Sequence, residues 1–194
     1  MLTIQIPHLE VVYRQTFVLQ PLYRIMRKWL MENEYVDEQE DTSMESAMEI
    51  LYLERRGTAQ KANEKEWRIW WRAQKPIAGN VRSKYYTYHL DVDFNVIQTV
   101  DMEVMREGKK ELVQFGEMRI TLMPYLEVGE IVGHPLLKYI DYFFRSRIIK
   151  KNLEEHKKLL YQDAYRFQAM IKKWLELKSF LPEKEYLHRK FEFV

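Results

Sequence analysis

The alternation between Tyr86 and Val96 constrains this chain more than any other feature. Tyr86, Tyr88, Leu90, Val92, Phe94 and Val96 are apolar, and His89, Asp91, Asp93 and Asn95 fall between them. Successive side chains of a strand point to opposite faces, so this pattern predicts one buried face and one solvated face, as in antiparallel sheet. Neighbouring segments repeat the period. Met48, Ile50 and Tyr52 share one side of a strand ending near Gly57, and Trp67, Ile69, Trp71 and Ala73 form the apolar side of the next before Pro76. Asp93 to Asn95 reads as a bulge or turn, after which Val100, Met102 and Val104 are expected to resume the same face as far as Glu107-Gly108-Lys109. The last long strand, Leu112 to Val128, turns Met118, Ile120, Leu122 and Leu126 inward and Glu117, Arg119, Thr121 and Glu127 outward, with Gly116 as a kink. Leu2, Ile4 and Ile6 also alternate before Pro7, whereas His8 to Gln20 fits helix and strand equally.

Elsewhere the period is helical. Leu22, Ile25, Met26, Trp29 and Leu30 follow Pro21, which suits the first turn of a helix, and predict an amphipathic helix over 21–33. Leu136 to Leu181 contains neither glycine nor proline. Phe144, Ile148, Leu160, Phe167, Ile171 and Trp174 keep a helical spacing within it, with one phase shift near Ile148-Ile149. Unbroken, such a helix would run about 65 Å, longer than a small sheet can cover. The resulting expectation is a single α+β domain over 1–194: about five antiparallel strands within 48–128, an N-terminal amphipathic helix, a long helical region over 135–181 packed on one face, and a short tail over 182–194.

Composition removes several function classes. The chain has no cysteine, which excludes disulfides, thiolate catalysis and Cys-based zinc sites. No run of apolar residues is long enough to span a bilayer and the start lacks a signal pattern, so the expectation is a cytoplasmic protein, or a virion component if viral, with no membrane partner. The five histidines are scattered, the serines lack a Gly-x-Ser-x-Gly setting, and no phosphate-binding glycine loop occurs. Neither an enzyme nor a cofactor is expected. His89, Asp91 and Asp93 are metal-ligand types on one strand face, with Asp101, Glu103 and Glu117 expected on the same side. Same-face neighbours nevertheless stand about 6.5–7 Å apart along a strand, so a solvated face is preferred to a metal site.

Charge is balanced overall, at +2, but not locally. Residues 32–54 carry nine acids and no Lys or Arg, and residues 55–84 carry nine bases against two acids. The blocks either pair across neighbouring elements or face separate partners. Within the basic block, Trp67, Ile69 and Trp71 claim the core side, so alternation sends Trp70 to the opposite face with Arg68 and Arg72. Together with Lys75, Arg82 and Lys84 these form the candidate interaction surface.

Opposed charge blocks, 14% aromatic residues and the absence of catalytic motifs favour a non-catalytic structural or interaction subunit of a larger assembly, such as a virion component or multiprotein complex, with a protein partner or self-association. A single-strand nucleic-acid module built on Trp70 and the 55–84 block is the alternative. The element order also resembles helix-grip proteins, whose long helix closes a curved sheet over an apolar cavity. That resemblance implies a third reading, a carrier or enzyme for a hydrophobic small molecule.

Overall fold

A computed structural model describes residues 2–35, 48–57, 63–77, 86–106, 109–128 and 149–180. Seven strands and two helices lie within them: β1 (Leu2–Gln5), β2 (Leu9–Tyr13), β3 (Thr16–Phe17), α1 (Leu19–Glu32), β4 (Glu49–Arg56), β5 (Glu64–Pro76), β6 (Tyr86–Arg106), β7 (Lys109–Val128) and α2 (Ile149–Phe180). Every pairing is antiparallel, in the order β1-β7-β6-β5-β4, with β2 and β3 also on β7. The sheet is therefore larger than the expected five strands. The ambiguous stretch from His8 to Gln20 supplies β2 and β3, which continue the line of β1 along β7. Pro7, without an N–H to donate, sits where that edge is interrupted.

The inner face is built from cross-strand rows. Ile69, Phe94, Ile120 and Val11 stand opposite one another, as do Trp71, Val92, Leu122 and Leu9. All eight are buried. Helix α1 contributes Leu22, Met26 and Leu30, at the expected spacing. Its cap residue Val18 has no side-chain acceptor, and the Leu19 N–H instead donates to Gln114 Oε1 at 3.2 Å. The helix ends with Glu34 in the left-handed region, at φ 62°, while Glu34 N–H bonds Met31 O and Tyr35 N–H bonds Leu30 O. That pattern closes the orphan carbonyls and drops Tyr35 into the core, where its hydroxyl donates to Asp163 Oδ2. Tyr35 thus anchors the chain at the start of the acidic block; residues 36–47 lie outside the described part.

Helix α2 has 32 residues and accounts for 149–180 of the helical region expected over 135–181; the rest of that region lies outside the described residues. Leu160, Phe167, Ile171 and Trp174 face the sheet as the spacing predicts, whereas Phe144 and Ile148 lie outside the described residues. Trp29 packs against Phe167 at 4.7 Å between ring centroids, joining the two helices. Gln168, buried, donates to Glu10 O and ties α2 to β2.

The largest departure from expectation lies in the β6–β7 hairpin. Pairing slips by one residue between Ile97 and Val100 against β7, and between Lys65 and Trp67 against β5. The bulge is at 97–99, not 93–95, and Gln98 adopts φ 52° there. One inserted residue exchanges the faces of everything beyond it. Val100, Met102 and Val104, expected to continue the core row, instead pair on the outer face with Phe115, Val113 and Glu111. Gly116 permits the bulge, because a Cβ there would stand 2.9 Å from Thr99 Cα.

Candidate interaction surface

The outer face begins with the β5 alternation. Trp67, Ile69, Trp71 and Ala73 are buried, and Trp70 is 41% exposed on the other side with exposed Arg68, as the sequence pattern predicts. The Arg72 guanidinium lies 5.8 Å from the Trp70 ring centroid. It is also clamped by two carboxylates, with Nε 3.3 Å from Asp91 Oδ2 and Nη1 2.7 Å from Asp93 Oδ1. Lys75 has inner-face parity. Its Nζ donates to Asn33 O, approaches Glu34 and lies over the Tyr35 ring, so it does not join Arg68, Trp70 and Arg72. Arg82 and Lys84 lie outside the described residues.

The charge blocks meet in part as the plainer reading expected. Lys75 pairs with Glu34 from the end of α1, whereas Arg56 and Glu54, also in contact, are neighbours on β4 itself.

Around Arg72 the outer face is polar and half-buried. Tyr125 stands directly opposite His89 across the β6–β7 ladder, and their rings stack at 4.5 Å. His89 Nε2 is 2.8 Å from Glu127 Oε2, a charge-pair distance without hydrogen-bond alignment. Burial raises the Asp91 carboxyl above its usual pKa, with the Arg72 guanidinium opposing that rise. With Asp91 and Asp93 both committed to Arg72, the metal-ligand types on this strand are already paired. The bulge also sends Asp101 and Glu103 to the inner side, where Lys65 bonds Asp101. Among the described residues no three His, Asp or Glu side chains converge as metal ligands.

Two apolar areas occupy the same outer face, and sequence reasoning missed both. Beyond the bulge, Met102 (44% exposed) and Phe115 (49%) flank buried Val113. At the sheet edge, Leu51 and Leu53 stand opposite Trp70 and Arg68. Leu53 is 46% exposed on this face, and along the same edge strand Ile50 at the bulge and Tyr52 on the inner side are 64% and 53% exposed. The available signal for the first area was Gly116, an isolated strand glycine marking a close backbone approach. The second depends on a register shift between Glu49 and Leu51 that leaves no comparable mark.

Neither described helix is long and apolar enough to cross a membrane. No family model and no curated protein matches the chain. A delta-endotoxin of known structure is similar to it at 10% identity and a TM-score of 0.33, over 70% of this chain and 64% of that one. The match spans less than two thirds of the toxin, and a likeness this distant carries no argument about fold or function.

Proposed function

We propose that this chain is a non-catalytic interaction subunit of a larger protein assembly, docking through the outer face of the β6–β7 hairpin. One observation carries the reading: the bulge at 97–99 turns Val100, Met102 and Val104 of β6 outward, beside Val113 and Phe115 that β7's own alternation places there, and Met102 and Phe115 stay nearly half exposed around Val113. A contiguous apolar area on an otherwise charged face is characteristic of a surface that a partner covers. Its large side chains supply contact area at the centre, and the flanking charges supply the polar rim.

The two rival readings find less support. An RNA-binding Trp70 would work best beside uncommitted cations, yet Arg72 is neutralised by Asp91 and Asp93, and Lys75 belongs to the other face. A ligand cavity of helix-grip type would leave its lining open to water. Leu90, Val92, Ile120, Leu122, Phe167 and Ile171, between sheet and helices, are all completely inaccessible.

The test is native mass spectrometry of the purified protein beside Met102→Asp and Phe115→Asp. Both positions are exposed, so folding stability should change by less than about 1 kcal/mol, while the complex dissociates. A complex with another protein that survives both changes, or a wild-type chain that carries no partner beyond a second copy of itself, sinks the reading.

A further inference from the structure

The sheet has two edges, and they differ. Along one, β1, β2 and β3 are short segments interrupted around Pro7, a broken edge of the kind that resists further pairing. The other is β4, eight residues without glycine or proline, regular from Leu51 to Arg56 beyond the bulge at Ile50, and the last strand of the sheet among the described residues. The run Ile50 to Leu53 is apolar, with Ile50, Tyr52 and Leu53 exposed and Leu51 half-buried. An edge of that composition is a template for another strand.

We propose that the strand it accepts is β4 of a second copy, paired antiparallel about a two-fold axis at Tyr52. The choice follows from enumeration. Directly opposed residues of an antiparallel pair share a face, so a symmetric pairing must centre on one residue. Centring on Glu54 or Arg55 sets like charges face to face, which is destabilising. Centring on Leu53 puts Leu51 opposite Arg55 and Tyr52 opposite Glu54, and centring on Leu51 puts the bulged Ile50 opposite Tyr52 and Glu49 opposite Leu53. Centring on Tyr52 sets Leu51 against Leu53 of the second copy twice, on the outer face, and Tyr52 against its equivalent on the inner face. No charged residue then opposes another of its own sign. Because Leu51 already stands opposite Trp70 and Leu53 opposite Arg68, each outer row would run Trp70, Leu51, then Leu53 and Arg68 of the second copy. Two such rows related by symmetry cover exposed Leu53 and half-buried Leu51 and add to the area around Trp70. This surface is separate from the hairpin surface proposed above and stands or falls separately.

The chain has no cysteine, so a single introduced thiol reports the register directly. Opposed Cα atoms in an antiparallel ladder are about 4.5–5.5 Å apart, within the reach of a disulfide. Tyr52→Cys should therefore oxidise to a covalent dimer. In that register the two positions of Arg55→Cys are separated by about 20 Å, and that variant should stay monomeric under the same conditions. Leu53→Lys should raise the midpoint concentration of the monomer–dimer equilibrium by about tenfold, since both Leu51–Leu53 pairs are lost. Light scattering over a concentration series would read this. A chain that stays monomeric throughout, equal cross-linking at Tyr52→Cys and Arg55→Cys, or a dimer indifferent to Leu53→Lys would each overturn the pairing. An assembly holding one copy of the chain and lost on Phe115→Asp would overturn it too, while leaving the interaction reading in place.

Discussion

Trp70 and Trp71 are adjacent in sequence, and their environments have nothing in common. Trp71 is completely buried, packs edge-on against Tyr23 and Phe94, and donates its indole N–H to Glu49 Oε2 at 3.2 Å. Glu49 also accepts from the Tyr23 hydroxyl, whose pKa burial pushes well above the usual phenol value. Trp70 faces outward and touches the Arg72 guanidinium. Replacing Trp71 by Ala should cost about 3–5 kcal/mol, whereas Trp70→Ala should stay within about 1 kcal/mol. Denaturant titration of the two variants side by side checks the assignment, and a large loss at Trp70 would return that residue to the core. Strand parity alone predicts this contrast, because two neighbours on a strand cannot share a face.

At the scale of elements, the β6–β7 hairpin combines strong local patterning with a single irregularity. Its 21- and 20-residue strands keep strict inside-outside order up to Ile97. The bulge then inverts the order. Gly116 is the residue on which this depends, since an added methyl group would meet the Thr99 Cα and Oγ1, each at 2.9 Å, and the Gln98 carbonyl at 3.0 Å. Gly116→Ala should destabilise by about 1–3 kcal/mol, in the range of overpacking a tight site. Cooperative unfolding at wild-type stability would mean that the strands separate there at no cost. Period-two patterning revealed the strands but not the slip, because Val100, Met102 and Val104 have the same parity as the core row and are equally apolar.

For the whole molecule, α2 is fastened to the sheet by apolar packing and by a few polar links. One of them pairs Tyr88 of β6 with His156 of α2, where the hydroxyl and Nδ1 are 2.9 Å apart and the Tyr86 ring lies against the imidazole. Burial pushes the Tyr88 pKa up to about 12, so its hydroxyl keeps its proton. Burial also lowers the His156 pKa below the ordinary imidazole value, with Glu155 opposing. The sign follows directly. The folded state binds its proton less readily than the unfolded state, so this group's contribution is fully present above about pH 6.5, the unfolded value. It is lost as the pH falls from there towards the folded pKa. Unfolding free energies measured at about pH 7.5 and about pH 5 should fall with acidity in the wild type and fall less in His156→Gln, which keeps an acceptor without the titration. An identical decrease in both would show that other groups govern the acid side.

The sequence by itself determined which segments are strand and which are helix wherever a period persisted over several residues, because each period aligns apolar side chains on one face whatever that face later meets. Helix α1, the inner rows of β5 to β7, the buried stripe of α2 and the outward Trp70 were legible for that reason. Only the tertiary structure decided where a register slips. The bulge at 97–99 and the shift at Glu49–Leu51 are settled by the backbone hydrogen bonds of neighbouring strands and by the clearance beside Gly116, which a single-strand pattern does not encode. It also decided that β1 to β3 lie in line along β7, and that Arg72 belongs to Asp91 and Asp93 while Lys75 crosses to the other face. Those pairings join residues distant in sequence, and the candidate surface was correspondingly less legible than the core.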